Sequence, residues 1–398
     1  MLSYSKRVSA LRSSEIRDLM KLATRPDMIS FAGGMPNNDL FPVAQIDQIF
    51  DTLPDQLKKI ACQYGPTPGH PPLLEALKEH LRSKGMPVDT NEILITTGSI
   101  QAINILTQAF VDPGDTIILE NPSFIGSISI FKSYMANMVA IDMESDGIDI
   151  TRLEHELNKP GVNPKMLYLI PNFQNPAGTI YSQEKRDAIF KMMAGKDTIL
   201  VEDDAYGDLY FNERVKPLTV PMKNHENGEF TICYTGSFSK ILGPGLRLGW
   251  LLAPPEIYQK CEIIKQTMDS CSPNYTQVLA TEFLNRGYLQ PYLAFLREEY
   301  TERCNMTHKY LVSYMPDYVK WVVPEGGFYF WLHLPEDLDA SEILTKSIEK
   351  GAVFVTGKTF DPYGVKNNRI RLAFSNMQKS EIEPGIKMIA DAIRDLKK

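Results

Sequence analysis

The chain has few cysteines, and they form no pattern. Its five, Cys62, Cys233, Cys261, Cys271 and Cys304, are scattered, odd in number and outside any C-x-x-C pair. That argues against a disulfide framework and against a cysteine-based metal site, and it suits a reducing compartment. Long apolar runs are absent too, since none approaches the roughly 20 residues that a spanning helix needs. The opening Met1-Leu2-Ser3-Tyr4-Ser5-Lys6-Arg7 lacks the apolar core of a secretory signal. No basic block occurs, and the formal net charge is -7. Nucleic acid is therefore excluded as a main partner, and a soluble cytoplasmic protein is expected.

What is present is ordinary globular chain in quantity. At 398 residues it can bury a large core and is expected to form two lobes. Short apolar, β-branched segments recur at Ile93–Thr96, Thr116–Leu119, Met138–Ile141, Met166–Ile170, Thr198–Val201 and Thr231–Tyr234. Helix-compatible stretches separate them, such as Ile100–Phe110 and Gln183–Ala194. This alternation predicts an α/β fold with a mostly parallel sheet covered by helices on both faces. Pro72–Lys84 also carries helical spacing, and Glu15–Leu22 reads as a short helix capped by Ser13-Ser14. Beyond about residue 285 a long charged helix, Tyr292–Tyr314, precedes strands at Gly327–Leu332 and Asn368–Phe374 and a last helix, Ile382–Leu396. That region reads as a smaller α+β lobe.

The most informative residue is Lys240. It sits in Ser237-Phe238-Ser239-Lys240, with Gly243-Pro244-Gly245-Leu246-Arg247 following. Hydroxyls, open amides and a guanidinium all donate to anionic oxygens, so this cup suits a phosphate. A lysine at its centre makes chemical sense as the covalent partner of what the phosphate anchors, such as the aldehyde of pyridoxal 5'-phosphate. Thr96-Thr97-Gly98-Ser99-Ile100 joins a strand to a helix N-terminus, a second place for an anion. Glu202-Asp203-Asp204-Ala205-Tyr206 follows a strand, where a carboxylate can hold a pyridine nitrogen protonated. Asn172-Phe173-Gln174-Asn175 ends another strand, where an amide can donate to a phenolate-type oxygen. Gly243-x-Gly245-x-x-x-Gly249 has the wrong spacing and context for a dinucleotide fingerprint.

With these residues in order, the chain resembles the fold-type I, pyridoxal-phosphate-dependent aminotransferases of class I/II, along nearly its whole length. The carrying signature is Ser237-Phe-Ser-Lys240-x-x-x-Pro-Gly-Leu-Arg247-x-Gly-Trp250. The resemblance implies an N-terminal arm with part of the small domain (1–45), a large cofactor-binding domain (46–285) and a C-terminal small domain (286–398). It implies that Lys240 bonds the cofactor and then moves the substrate's proton. Arg247, Ser237, Ser239 and the amides of Ser99 and Ile100 would hold the phosphate. Asp203 would pair with the ring nitrogen, through its place three before Tyr206, with Asp204 as the nearby rival. Tyr206 and Asn175 would meet the ring hydroxyl oxygen, and Phe124 would stack on the ring without the hydroxyl that tyrosine would bring. Tyr64 resembles the tyrosine that reaches the partner subunit's phosphate, which implies a homodimer with shared sites. Arg371 would clamp the substrate α-carboxylate, and Arg369 is assigned to the other face of the strand.

Ser14-Glu15-Ile16-Arg17 with Phe31-Ala-Gly-Gly34-Met-Pro resembles the subgroup of 2-aminoadipate and kynurenine aminotransferases. By that likeness Arg17 reads a distal carboxylate and the amide of Gly34 assists at the α-carboxylate. The expected reaction is transfer of the amino group of an L-amino acid to 2-oxoglutarate by a ping-pong cycle. A lyase or synthase on the same fold is the alternative, since reaction type follows which Cα bond stands perpendicular to the ring. A non-catalytic effector-sensing domain of a transcription regulator would carry a basic module upstream, and the Arg17 helix leaves no room for one. No metal is expected.

Overall fold

The structure is a computed structural model that describes residues 4–9, 19, 25, 27–219 and 230–397. Its strands run β1 (Ile29–Ser30), β2 (Glu92–Thr96), β3 (Thr116–Asn121), β4 (Asn137–Glu144), β5 (Gly147–Ile148), β6 (Met166–Leu169) and β7 (Ile199–Asp204). They continue with β8 (Thr231–Ser237), β9 (Gly249–Ala253), β10 (Tyr329–His333), β11 (Ala352–Val353), β12 (Val355–Thr356) and β13 (Arg369–Ala373). The main sheet has the order β2-β9-β8-β7-β6-β3-β4-β5. Strands β4, β3, β6, β7 and β8 are parallel neighbours, as their β-branched runs and helical connections require. Alternate residues feed opposite faces: Ile117 and Leu119 pack with the helices Ser99–Phe110 and Pro255–Met268, whereas Ile118 packs with those at Ile150–Leu157 and Gln183–Met193.

The sheet is mostly parallel, as expected, with two antiparallel strands, the short β5 beside β4 and the longer β9. β9 is antiparallel to both β8 and β2. Strand β9 begins inside the Lys240 signature, at its closing Gly249 and Trp250, which hides a strand in the sequence. A glycine makes the pairing possible: Gly236 faces Trp250, and a Cβ there would lie 2.2 Å from the indole. Because β9 reverses direction, β2 still runs in the same sense as β8. The carboxyl ends of β2, β3, β6, β7 and β8 therefore share one edge, where doubly wound sheets bind ligands.

A second, antiparallel sheet, β10-β13-β12, packs on the long helix Leu289–Tyr314 and the last helix Lys379–Leu396. Register pairs Trp331 with Arg371 and His333 with Arg369. Ile370 and Leu372 point into the core, so Arg369 and Arg371 share the opposite face. The assignment of Arg369 to the other face is thus overturned, because residues two apart on a strand always point the same way. What parts them is position along the strand: Arg371 lines one cavity, Arg369 a second with Asp142, Trp331 and His333.

Candidate active site

A cavity of about 280 Å³ opens at the carboxyl edge of the main sheet, between it and the β10-β13-β12 sheet. Its phosphate-like end is built from two turns. Gly98 and Ser99 begin the helix after β2, and Ser237, Ser239, Pro244 and Arg247 follow β8. Gly98 has φ +82°, and a Cβ on it would stand 2.6 Å from Arg247 Nη2. Arg247 itself adopts φ +52°, a left-handed conformation that non-glycine residues take at some cost, and such strain gathers at functional sites. Its guanidinium donates to the carbonyls of Pro244 (3.2 Å) and Thr97 (3.2 Å), joining the two turns. Behind the first turn, Asp269 accepts from Thr97 Oγ1 (2.9 Å), Gln101 Nε2 (2.7 Å) and the buried Lys265 ammonium (2.6 Å). The cup is held rigid from outside.

Lys240 lies between the two ends. Its ammonium donates to the Gly34 carbonyl at 2.7 Å. Burial pushes its pKa down to about 8, and the charges of Arg371 and Arg247 act in the same direction. A lysine so placed gives up its proton more readily than an exposed one, which a nucleophilic amine requires.

The two adjacent aspartates at the end of β7 part company. Asp204 turns away and accepts from the Gly207 amide (2.7 Å) and the Tyr234 hydroxyl (2.9 Å). Asp203 lines the cavity. Its Oδ2 accepts from the fully buried Tyr168 hydroxyl at 2.6 Å, while Oδ1 is buried with no hydrogen-bond partner among the described residues. Burial raises this carboxyl to about 7, against the Tyr168 hydrogen bond and with the charge of Asp204. A buried, unpaired carboxylate oxygen on a residue that lines a cavity calls for a cationic donor, and a protonated pyridine nitrogen is one.

Opposite, Arg371 is 2% exposed. It donates to Asn175 Oδ1 (3.0 Å) and the Ala32 carbonyl (2.6 Å), and its Nε has no partner. Among the described residues no acidic side chain forms an ion pair with it. The guanidinium packs 4.5 Å from the Tyr329 ring centroid and 4.8 Å from that of Phe360. A buried cation flanked by aromatic faces and lacking a counter-ion is arranged for an incoming carboxylate.

Of the residues singled out from sequence, Lys240, Asp203, Tyr206, Ser99, Ile100, Phe124, Asn175, Ser237, Ser239, Arg247, Gly34 and Arg371 all line this one cavity. Tyr64 does not: it is 84% exposed on the chain's surface. Arg17 lies outside the described residues, as does the rest of its expected helix apart from Leu19. Gly34 presents its carbonyl to Lys240, where the expectation concerned its amide. Sequence reasoning passed over Tyr168 and Tyr329. A tyrosine inside a buried strand was the available signal, because a buried hydroxyl needs a partner.

Comparison with known proteins shows the family. Residues 27–389 match the family model "Aminotransferase class I and II". The chain is 37% identical, over 98% of its length and 94% of the relative's, to aromatic-amino-acid aminotransferase 1 of Thermococcus litoralis. Its fold superposes with TM-score 0.94 on a kynurenine aminotransferase of Pyrococcus horikoshii solved in complex with PMP, at 35% identity and covering 99% and 98% of the two chains. An α-aminoadipate aminotransferase of Thermus thermophilus, solved with N-(5'-phosphopyridoxyl)-L-leucine, superposes with TM-score 0.89 at 31% identity, covering 100% and 99%. The chain belongs to the class I and II aminotransferases. It is an enzyme of fold type I whose cofactor is pyridoxal 5'-phosphate.

Proposed function

We propose that the enzyme moves the amino group of an L-amino acid, with aromatic and 2-aminoadipate-type donors in its range, to 2-oxoglutarate in a ping-pong cycle. The single observation that carries this reading is Arg371, a buried guanidinium without a carboxylate partner among the described residues, in the same cavity as Lys240 and Asp203. The names of the similar aminotransferases supply the donor classes.

The bound cofactor supplies an electron-withdrawing ring that makes the substrate's Cα proton removable. The chain's residues do the rest. Arg247, Ser237, Ser239 and the amides at Ser99 and Ile100 hold the phosphate. Asp203 Oδ1 would accept a hydrogen bond from the protonated ring nitrogen and so keep that nitrogen cationic. Phe124, which lines the cavity, would pack against the ring. Because Arg371 donates to Asn175 Oδ1, the Asn175 amide group is left to donate to the ring oxygen beside Tyr206. Arg371 fixes the substrate α-carboxylate, and Lys240, once released, carries the proton away from Cα as a neutral amine. Gly34 assists at that carboxylate.

Tyr64, exposed on its own chain, belongs on this reading to the partner's site in a cytoplasmic homodimer. The division at residues 45 and 285 is proposed as the domain boundary. It is supported by the main sheet lying wholly within residues 92–253 and by β10, β12 and β13 forming a sheet of their own. The test is a panel of aromatic, dicarboxylic and aliphatic amino donors with 2-oxoglutarate, read as glutamate formed. Release of ammonia or carbon dioxide in place of glutamate would establish lyase chemistry instead.

A further inference from the structure

Tyr329, on β10, touches three residues of the cavity's machinery: Tyr206, Arg371 and Gly34. Its hydroxyl lies 2.7 Å from that of Tyr206, the two rings meeting edge to face at 5.7 Å. Its ring carries the Arg371 guanidinium at 4.5 Å. Its hydroxyl also sits against Gly34, where a Cβ would stand only 2.1 Å from the oxygen. Gly34 is the residue whose carbonyl holds the Lys240 ammonium. Both tyrosines are buried, Tyr329 at 2% and Tyr206 at 4% exposure.

We infer that Tyr329 is a positioning residue: its hydroxyl donates to Tyr206, aiming the Tyr206 proton at the ring oxygen of the cofactor, and its ring holds Arg371 in place. A hydroxyl has one proton to give. If Tyr206 donates that proton to the ring oxygen, the bond between the two phenols has one direction, from Tyr329 to Tyr206. Donation into the Tyr206 oxygen polarises its O–H and makes it a stronger donor in turn. Tyr329 would thus act on the cofactor without touching it, and on the substrate carboxylate through Arg371. The absence of a Cβ at Gly34 is what lets the hydroxyl reach this position. The inference rests on the proposed role of Tyr206, and the test separates the two.

The measurement is the pH midpoint of the holoenzyme's visible absorption, which reports loss of the proton shared by the Lys240 nitrogen and the ring oxygen. A donor to the ring oxygen favours its anionic form, so weakening that donor makes the proton leave at higher pH. Tyr206→Phe should raise the midpoint. Tyr329→Phe should raise it by about half a unit, and the double variant should match Tyr206→Phe alone. An unmoved midpoint in Tyr329→Phe beside a raised one in Tyr206→Phe would overturn the relay and leave the site reading standing. Additive shifts would equally overturn it. No shift in Tyr206→Phe would remove the role of Tyr206, and the inference with it.

The ring's role has its own readout. Tyr329→Phe keeps the ring and should leave KM for amino donors within about twofold, whereas Tyr329→Leu should raise it about tenfold for every donor. Equal KM values for Phe and Leu would refute the ring's part. If Tyr329→Phe fails to load cofactor, Gly34→Ala displaces the same hydroxyl, and an unchanged midpoint there overturns the relay.

Discussion

The two ends of the cavity are built in opposite ways. The phosphate-like end comes from two short turns, residues 97–101 and 237–247, at the edges of β2 and β8 with β9 between them. Each turn carries its own donors, and Gly98, against Arg247, and Gly249, against the Ser99 amide, let them approach. The substrate-facing end is assembled from four distant places: the loop at Gly34, Asn175 after β6, Tyr329 on β10 and Arg371 on β13. Arg371 reaches an acceptor at Ala32, at the other end of the chain. The first end is local turn chemistry set on a sheet edge. The second exists only because the β10-β13-β12 sheet docks over that edge.

The comparison can be broken or sharpened by substitution, with the residue between the two ends having the largest expected effect. Lys240→Ala should abolish covalent attachment of the cofactor and lower transamination by at least about 10³-fold. The check is borohydride reduction and mapping of the labelled peptide; a label on another lysine would remove Lys240 from its place. Arg371→Ala should lower kcat/KM for every amino acid about 10²-fold, with cofactor binding little changed. Arg371→Lys should recover only part, since an ammonium lacks the planar fork. If Arg371→Ala loses cofactor as readily as activity, the two ends are not separate.

At the other end, Arg247→Ala should weaken cofactor affinity about tenfold or more, measured by titrating cofactor-free protein, while KM for the amino donor in the loaded enzyme changes less. Arg17→Ala should lower kcat/KM about fivefold for dicarboxylic donors only, and equal losses for aromatic donors would refute its proposed role. The smallest effect concerns stability without cofactor. Asp203 keeps its proton to about 7 in the folded protein, against roughly 3.9 for an exposed aspartate. The folded state therefore binds more protons across that window, and its stability falls as pH rises through it. Cofactor-free Asp203→Asn lacks this gradient and should lose less stability than wild type between pH 5 and pH 8, by about 1–3 kcal/mol in denaturant melts. Buried Glu120, raised to about 7 for the same reason, stays in both proteins and cancels. Equal losses would show that Asp203 is not held protonated.

The sequence made the parallel part of the sheet legible because its strands are short, β-branched and regularly spaced. It also made the phosphate cup legible, since glycines, hydroxyls and a guanidinium lie within a dozen residues. It left Asp203 and Asp204 as rivals, because neighbouring carboxylates in one string of letters look alike. Alternation along β7 decided between them, sending one carboxylate to Tyr234 and the other to the cavity. Tyr168 and Tyr329 were illegible for a related reason. Each looks like strand packing until a strand paired elsewhere brings its hydroxyl within 2.7 Å of Asp203 or Tyr206.

By itself, then, the sequence determined the family and the cofactor and picked out the lysine proposed to bond it, because those depend on residue types at short spacing. The tertiary structure alone decided which buried carboxylate oxygen is left unpaired, which phenols meet and which guanidinium has no counter-ion among the described residues. Those are properties of burial and of pairs far apart in the chain, and they arise only when desolvation and distance act together.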